Sequence, residues 1–317
     1  KEIELISYLG SHRFRLPVVS SPMDTVTGPK RARAMAELGG LGIIHRYNTV
    51  TDQVAMVKQA LSMDYPEGNE VIGVAVGVSG DYIERASLAS KAGAKVICVD
   101  IAHGHHTLMR HALKTLKNTL GDTVHIMAGN VATLEAFNDL SDWGADSVRV
   151  GIGGGSICST RIQTGHGMPT LQSVIDCARS DRDTMLIADG GIRTSGDIVK
   201  ALAAGADFVM LGSLLAGTEE SPGDTIYDKG GHRKVYRGMA SKDAQMDWRG
   251  HTASEEGVSS TVPYKGDVSD VLSSLEKGIR SGFSYTGARN LQEFRAKAKF
   301  IKQTSAGQKE SSTHIML

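Results

Sequence analysis

The sequence predicts an α/β fold, a closed (β/α)8 barrel, from two observations. Eight short apolar runs, most of them flanked by Gly or Asp, alternate with stretches that have helical spacing. Parallel strands buried on both faces have continuous apolar sequences of this kind, and eight strand–helix units are the number that closes such a barrel. A Gly-Ala sequence also recurs before three of the runs, at 93–94, 144–145 and 205–206. The fold prediction depends on this alternation and this repeat.

Each apolar run is interpreted as one barrel strand, and each stretch of helical spacing as the helix that returns the chain. The predicted strands are Leu16–Val19, Leu41–Ile44, Val71–Val76, Val96–Val99, Val124–Met127, Val148–Val150, Met185–Ala188 and Phe208–Leu211. The predicted helices are Ala32–Leu38, Tyr82–Ala92, Leu108–Leu120, Leu134–Trp143, Leu171–Ala178, Gly196–Ala204 and, after the barrel, Val268–Ser281. Gly93, Gly144 and Gly205 end helices and are predicted to have positive φ, which is an architectural role.

Composition excludes several classes of protein. The chain has 317 residues, with 35 basic and 35 acidic side chains, and it contains no block of like charge. This balance gives no basic patch of the kind that binds nucleic acid or a membrane surface. The absence of a long apolar run or a leader favours a cytoplasmic protein. Three cysteines form no disulfide framework. We therefore predict one barrel domain over 1–317, with a polar tail at 300–317 and a polar, glycine-rich segment at 217–268 that is either disordered or an active-site flap.

In a (β/α)8 barrel the site lies where the strands end, and the residues after the last three predicted strands are rich in glycine. These segments are 151–161, 189–193 and 212–213. Backbone N–H groups exposed by glycines at helix starts form cradles for phosphate. The alternative is that glycine only permits tight turns, but adjacent glycine-rich turns with serines favour a phosphorylated ligand.

Three polar side chains in these turns, and a pair of glutamates on the later segment, are candidates for chemistry. Asp189 has the position to accept both hydroxyls of a ribose, or alternatively to cap the next helix. Cys158 lies in the glycine loop, where backbone dipoles favour an exposed thiolate, whereas Cys98 and Cys177 are predicted to be inert packing residues. Thr160 is a candidate proton relay. Its carboxylate partner would be Glu255 or Glu256, although paired surface acids are more often only solvated.

Further polar residues follow the earlier strands. His103, His105 and His106 suggest a metal site, but the loop offers no spaced carboxylate, and Asp100 is the better ligand contact. Ser21 and Met23 follow the first predicted strand, His45 the second and Asn130 the fifth, and each of these residues has packing as its alternative role.

These motifs, in this order, resemble the IMP dehydrogenase and GMP reductase family across nearly the whole chain. The resemblance implies a TIM barrel that binds a purine 5′-monophosphate, with Cys158 attacking C2 of the base and a nicotinamide cofactor stacking against the exposed face. The matching stretches are Ser20–Thr27, Gly42–His45, Asp100–Gly104, Ala128–Val131, Val150–Arg161, Ala188–Arg193, Gly212–Leu214, Tyr236–Met239 and Val262–Gly266.

The resemblance also implies a role for individual residues. Asp189 is expected to accept the ribose, and Asp100 and Asn130 to lie beside the nicotinamide. The tail around Glu310 of a neighbouring subunit is expected to help bind a potassium ion, in a homotetramer. The remaining implied contacts are Ser156, Gly191, Gly212 and Ser213 to the phosphate, Gly238 and Met239 to the base, Ser21 and Met23 along the purine, and the carbonyls of Gly151, Gly153 and Cys158 to the potassium ion.

The family contains two activities, and the sequence favours the reductase, which converts GMP to IMP and ammonia with NADPH. Most dehydrogenases carry a regulatory insert between the second and third strands, where this chain has only residues 48–69. Dehydrogenases also hydrolyse their intermediate with an Arg-Tyr pair in which the arginine is the base, and no such pair follows Met239. The reductase would use Thr160 with Glu256 to protonate the departing ammonia. The segments Thr164–Gly167 and Ala253–Gly257 are also reductase-like.

Three alternatives remain open at this point. Ser20–Thr27, Gly212–Gly223 and Thr304–Ser312 look more like an IMP dehydrogenase, which would use NAD and for which Arg249 beside Trp248 would be a rearranged base. A non-catalytic purine nucleotide sensor is a second alternative, favoured by the atypical flap. A flavin-binding barrel is a more remote one.

Overall fold

Eight parallel strands close into a barrel, in the order predicted from the apolar runs. The computed structural model describes residues 3–62, 70–228 and 231–313. Each of the eight predicted strands overlaps one barrel strand, and the last strand pairs with the first to close the ring. The barrel strands are β3 Val18–Ser20, β4 Leu41–Ile44, β5 Ile72–Val76, β6 Val96–Asp100, β7 His125–Val131, β8 Ser147–Val150, β9 Met185–Asp189 and β10 Phe208–Leu211.

Helices surround the barrel because their apolar faces pack against the outward side of the strands. All seven predicted helices are present, and the one after the barrel runs four residues further than predicted, to Tyr285. The helices are α1 Pro29–Glu37, α2 Val50–Leu61, α3 Tyr82–Lys91, α4 Thr107–Leu120, α5 Leu134–Asp142, α6 Thr160–Thr164, α7 Thr170–Cys177, α8 Ser195–Ala203, α9 Lys242–Arg249, α10 Val268–Tyr285, α11 Leu291–Lys297 and α12 Ser305–Glu310.

The glycines of the repeated Gly-Ala sequence have the conformation predicted for them. Gly93, Gly144 and Gly205 have φ angles of 115°, 112° and 117°. A Cβ on Gly205 would lie 2.5 Å from Cβ of Ala178, so glycine at this position also allows the close approach of two elements. These residues are architectural, as predicted.

A short amino-terminal hairpin closes one end of the barrel and was not predicted. Its strands are β1 Ser7–Leu9 and β2 His12–Phe14. Leu9 and Phe14 are fully buried among the inward-facing barrel residues, and the ring of Phe14 meets Phe208 edge-on with centroids 5.4 Å apart. The hairpin therefore completes the barrel core.

The 217–268 segment is ordered over its described residues, so the disordered alternative is wrong. It contains a three-stranded antiparallel sheet of β11 Thr225–Asp228, β12 Gly231–Arg237 and β13 Ser259–Pro263, together with α9. The buried ammonium of Lys234 donates to the carbonyls of Thr218 and Ser221, at 3.1 and 2.6 Å, which anchors the sheet to the chain that leaves the barrel. We call residues 217–268 the flap.

The remaining predictions concern the chain ends and the connection after β4. Helix α2 fills most of 48–69, and residues 63–69 lie outside the described part of the chain. The 300–317 tail is exposed as far as residue 313 and contains the short helix α12. It is polar except for the exposed Phe300 and Ile301. Among the described residues, no helix has the length and hydropathy needed to cross a membrane.

Two buried histidines predict a loss of stability in acid. Burial lowers the pKa of His45 to about 4 and also lowers that of His125, so both are neutral in the fold but protonated in the unfolded chain below about pH 6.5. The unfolded state then binds more protons. We therefore expect the contribution of these histidines to the free energy of unfolding to be complete above about pH 6.5. As the pH approaches 4, the free energy of unfolding should fall by about 3 kcal/mol for His45 alone.

Chemical denaturation between about pH 7 and pH 4.5 measures this slope. His125→Gln is expected to reduce it, because a glutamine next to Ser147 keeps a polar contact without a titrating group. His111→Gln, at an exposed position, is the matched control. A wild-type slope retained in His125→Gln would contradict this assignment.

Candidate active site

A cavity of about 500 Å3 opens at the carboxyl ends of the barrel strands, a size typical of small-ligand sites. Apart from Glu310, which was expected to act from a neighbouring subunit, all of the residues predicted to bind substrate, cofactor or cation, or to act in catalysis, line it. They are Ser21, Met23, Asp100, Asn130, Gly151, Gly153, Ser156, Cys158, Thr160, Asp189, Gly191, Gly212, Ser213, Gly238, Met239 and Glu256.

Cys158 is the cysteine that lines the cavity, as predicted. It is half-buried, and its thiol donates to Oγ1 of Thr160 at 3.2 Å. Cys98 and Cys177 are buried, and burial raises the pKa of each thiol to about 12, which keeps them protonated and inert. The predicted division into one candidate nucleophile and two packing residues therefore agrees with the structure.

The flap holds the loop that carries Cys158. The backbone N–H of Ser159 donates to the Glu256 carbonyl at 2.9 Å, and that of Val258 donates to the Ile157 carbonyl at 3.0 Å. Glu256 is half-buried and lines the cavity, whereas Glu255 is exposed and does not. Glu256 is therefore the member of the predicted pair that lines the cavity. Among the described hydrogen bonds, none joins its carboxylate to Thr160, whose hydroxyl contacts the Cys158 sulfur instead.

The glycine-rich turns have two roles. A Cβ on Gly151 would lie 1.8 Å from the Asp189 carbonyl oxygen, and one on Gly190 would lie 3.2 Å from the Gly154 carbonyl carbon. These two glycines let neighbouring turns pack backbone against backbone, which is the alternative considered from the sequence. Gly155, Ser156 and Gly191 are exposed on the cavity side, where their N–H groups are free to meet a ligand.

Asp189 ends β9 and faces the cavity. Its Oδ2 accepts from Nδ2 of Asn130 at 2.8 Å and from the Arg149 guanidinium at 2.9 Å. The alternative role as a helix cap is wrong, because Thr194 caps α8 through a capping box with Asp197. The Asp189 carboxylate is therefore held in place by neighbours and keeps its Oδ1 for a ligand.

Arg149 was not predicted, although it connects two predicted site residues. It lies on β8, is almost fully buried, and donates to Oδ1 of Asp100 at 2.6 Å as well as to Asp189. Burial alone opposes its charge, but the two carboxylates raise the pKa of Arg149 well above its ordinary value. The site therefore contains a permanent buried cation between two carboxylates.

A second unpredicted feature is a wall of aromatic and cationic side chains, formed by Arg46, Tyr47, Trp248 and Arg249. The guanidinium carbons of Arg46 and Arg249 lie 5.7 and 4.5 Å from the Trp248 ring centroid, within cation–π range. Nε1 of Trp248 is buried without a hydrogen-bond partner, as is Nε of Arg46. We call these four residues the cationic wall.

Tyr236 is a third feature of the site that the sequence analysis did not predict. It is buried, lines the cavity and hydrogen-bonds Ser156, and burial raises its pKa. Its phenol oxygen lies 3.1 Å from where a Cβ on Gly212 would be. Tyr236 therefore links the flap to two of the predicted phosphate contacts.

Three of the four histidines named from the sequence have structural roles, whereas His103 is exposed. His105 contacts Asp139 at 2.7 Å and stacks on Trp143, His106 caps α4, and His45 is buried beside the cavity without lining it. Within the described ranges, no three His, Cys, Asp or Glu side chains are grouped as metal ligands.

The predicted potassium contacts were backbone carbonyls, whose oxygens suit a monovalent cation. The Gly151 carbonyl already accepts from Asn130 at 2.8 Å, and the Arg161 side chain lies against Gly153. The potassium ion stays a prediction.

Comparison with known proteins gives a consistent result. The sequence profile of the IMP dehydrogenase / GMP reductase domain matches residues 1–314. A GMP reductase from Trypanosoma brucei, solved as a cysteine-to-alanine variant in complex with guanosine 5′-monophosphate, superposes with a TM-score of 0.92 at 30% identity, over 99% of this chain and 94% of that one.

Curated relatives have both activities. An inosine-5′-monophosphate dehydrogenase from Aquifex aeolicus is 46% identical over 84% of this chain and 56% of its own length. A GMP reductase from Leishmania major is 42% identical over 90% of this chain and 61% of its own length. The chain thus spans less than two thirds of these relatives, and overall identity does not separate the two activities.

Proposed function

The chain belongs to the IMP dehydrogenase / GMP reductase family, and from that premise we propose that it is a GMP reductase, which converts GMP to IMP and ammonia with NADPH. The observation that carries the proposal is the arrangement around the sulfur. Cys158, Thr160 and Glu256 share one wall of the cavity, and the flap that supplies Glu256 has no Arg-Tyr pair for hydrolysis. A carboxyl group in the same cavity as the nucleophile can return a proton to a departing amine, whereas hydrolysis would need a base that activates water.

The substrate would be held at both ends. Backbone N–H groups of Gly191, Gly212 and Ser213 would receive the phosphate, and Oδ1 of Asp189 would accept the ribose hydroxyls. Gly238 and Met239 would contact the base through their backbone, with Ser21 and Met23 along the purine. In this orientation C2 of the guanine faces Cys158.

The first chemical step is addition of the Cys158 sulfur to C2: the thiol proton passes through Thr160 to the Glu256 carboxylate, the C–S bond forms, and the electron pair of the C2=N3 bond moves to N3. Glu256, through Thr160, then delivers this proton to the 2-amino group. The N3 electron pair re-forms the C2=N3 bond as that group leaves as ammonia, and the purine remains attached to Cys158 as a thioimidate. The barrier is divided between two smaller steps, which is the advantage of a covalent intermediate.

A bound NADPH would supply the hydride that reaches C2 and releases IMP from the sulfur. The cavity wall has groups that fit such a cofactor: Asp100 and Asn130 near the Cys158 loop, and the cationic wall beyond them. Nε1 of Trp248 and Oδ1 of Asn130 are buried without partners in the described structure, as expected for groups that meet a ligand. Arg46 and Arg249 provide positive charge for cofactor phosphates.

Dehydrogenase activity is the second candidate, because relatives of that activity are as similar as the reductases. The surroundings of Arg249, the residue expected to be a rearranged base in a dehydrogenase, argue against that activity. Its guanidinium is stacked on the Trp248 ring, and Gly250 follows it where the dehydrogenase pair has a tyrosine. A non-catalytic sensor would retain the nucleotide contacts and lose the chemistry.

One spectrophotometric experiment separates the three functions. With GMP and NADPH we expect the absorbance of reduced nicotinamide to fall and one ammonia to form per NADPH consumed. A rise with IMP and NAD instead would identify a dehydrogenase. No change in either mixture, with GMP binding detected by calorimetry, would identify a sensor and contradict the proposal.

A further inference from the structure

We propose that Arg149 is a positioning residue that couples the two ligand subsites of the cavity, so that a purine monophosphate at Asp189 and a nicotinamide dinucleotide at Asp100 strengthen each other's binding. The inference rests on the proposed function for the identity of the ligands. It adds a role for a residue that neither the sequence nor the comparisons assign.

The barrel places one polar residue on each of four neighbouring strands. Asp100 is on β6, Asn130 on β7, Arg149 on β8 and Asp189 on β9, and these strands are consecutive in the barrel order. The Arg149 guanidinium bonds one carboxylate with each terminal nitrogen, at 2.6 and 2.9 Å. Asn130 extends the row to the carbonyl of Gly151, where the Cys158 loop begins.

Each carboxylate uses one oxygen for this row and retains another. Arg149 contacts Oδ1 of Asp100 and Oδ2 of Asp189, so Oδ2 of Asp100 and Oδ1 of Asp189 lie outside this row. The Arg46 guanidinium forms an ion pair with Oδ2 of Asp100 at 3.9 Å, a longer contact than the bond from Arg149, so this side of Asp100 faces the cationic wall. We assign these two outer oxygens to the two proposed subsites.

The rigidity of the guanidinium makes the two carboxylates interdependent. Arginine presents its donors in a fixed planar fork, so a shift of the group toward one carboxylate changes its geometry at the other. Arg149 is 6% exposed and has little water to compensate for a lost bond. A ligand that fixes Asp189 thus also fixes Arg149 and Asp100, and a second ligand meets a site that is already ordered.

The two ligands could also be coupled by direct contact with each other. A conservative substitution of Arg149 distinguishes this source of coupling from coupling through the protein. Arg149→Lys keeps the charge but has one nitrogen, which cannot make both bonds in this geometry. Coupling transmitted through the protein should be lost in this variant. Coupling by direct contact between ligands should persist.

The test measures the Kd of GMP by calorimetry with and without saturating NADP+, a pair between which no hydride transfers. We expect GMP to bind the wild type at least about 5-fold more tightly with NADP+, and the same ratio to be below about 2-fold in Arg149→Lys. Arg85→Lys is the matched control, since Arg85 is a similarly buried arginine that bonds Asp81 and does not line the cavity. It should keep the wild-type ratio.

If circular dichroism shows that Arg149→Lys is unfolded, Arg149→Gln, which retains a neutral donor, serves as a second variant. A wild-type ratio near 1, or a ratio unchanged in a folded Arg149 variant, overturns the inference while the proposed function stands. Absence of GMP binding in the wild type overturns the proposed function, and this inference with it. The two failures are therefore distinguishable.

Discussion

Replacing Cys158 by alanine is expected to lower the rate of NADPH oxidation by about 10⁴-fold or more, while the Kd for GMP changes by less than about 3-fold. The sulfur forms the covalent bond in the proposed reaction, so no other group substitutes for it. The phosphate, ribose and base contacts come from other residues, most of them on other turns, and they remain in place. The loss should appear in the rate constant and not in binding.

The measurement combines steady-state absorbance with calorimetry. Mass spectrometry of the wild type mixed with GMP should also show a protein adduct, and this adduct should be absent from Cys158→Ala. Cys177→Ala is the control, because Cys177 is buried on α7 away from the cavity and its substitution should leave the rate unchanged. Turnover retained in Cys158→Ala would refute the covalent mechanism.

The barrel was predictable from sequence because its strands are buried on both faces. Such strands have continuous apolar sequences, and a run such as Ile72–Val76 has few alternative interpretations. The flap sheet was not predictable in the same way. Strand β13 is exposed or half-buried throughout, and its sequence, Ser259–Pro263, has no apolar alternation to identify it.

The residues of the candidate site were also predictable only in part. Residues that follow a strand are found by the rule that barrel sites lie at the carboxyl ends, and this rule found Asp100, Asn130 and Asp189. Arg149 lies within a strand, between Val148 and Val150, so the rule passed over it. A signal was nevertheless present, since an arginine inside a buried strand requires a buried partner.

The cationic wall could not be predicted because it joins distant segments. Arg46 and Tyr47 follow β4, whereas Trp248 and Arg249 end α9, about two hundred residues later in the chain. Only the folded flap brings the Trp248 ring to 5.0 Å from that of Tyr47. A contact of this kind depends on where the flap packs, which local sequence patterns do not determine.

Replacing Glu256 by glutamine is expected to slow ammonia formation by about 10² to 10⁴-fold, with the Kd for GMP changed by less than about 3-fold. Glutamine keeps the size of the side chain but cannot hold and deliver a proton. The backbone bond from Ser159 to the Glu256 carbonyl does not depend on the side chain, so the loop that carries Cys158 should keep its position. The effect should therefore fall on the chemical step.

Ammonia formed in a single turnover measures that step directly, and Glu255→Gln is a closely matched control. Glu255 is the adjacent residue, is exposed and does not line the cavity, so its variant should react at the wild-type rate. If Thr160 carries the proton from Glu256 to the amine, Thr160→Val should slow the same step, and the double variant should be no slower than the worse single variant. Equal ammonia formation in the wild type and Glu256→Gln would remove this carboxylate from the mechanism and leave Thr160 without the acid it requires.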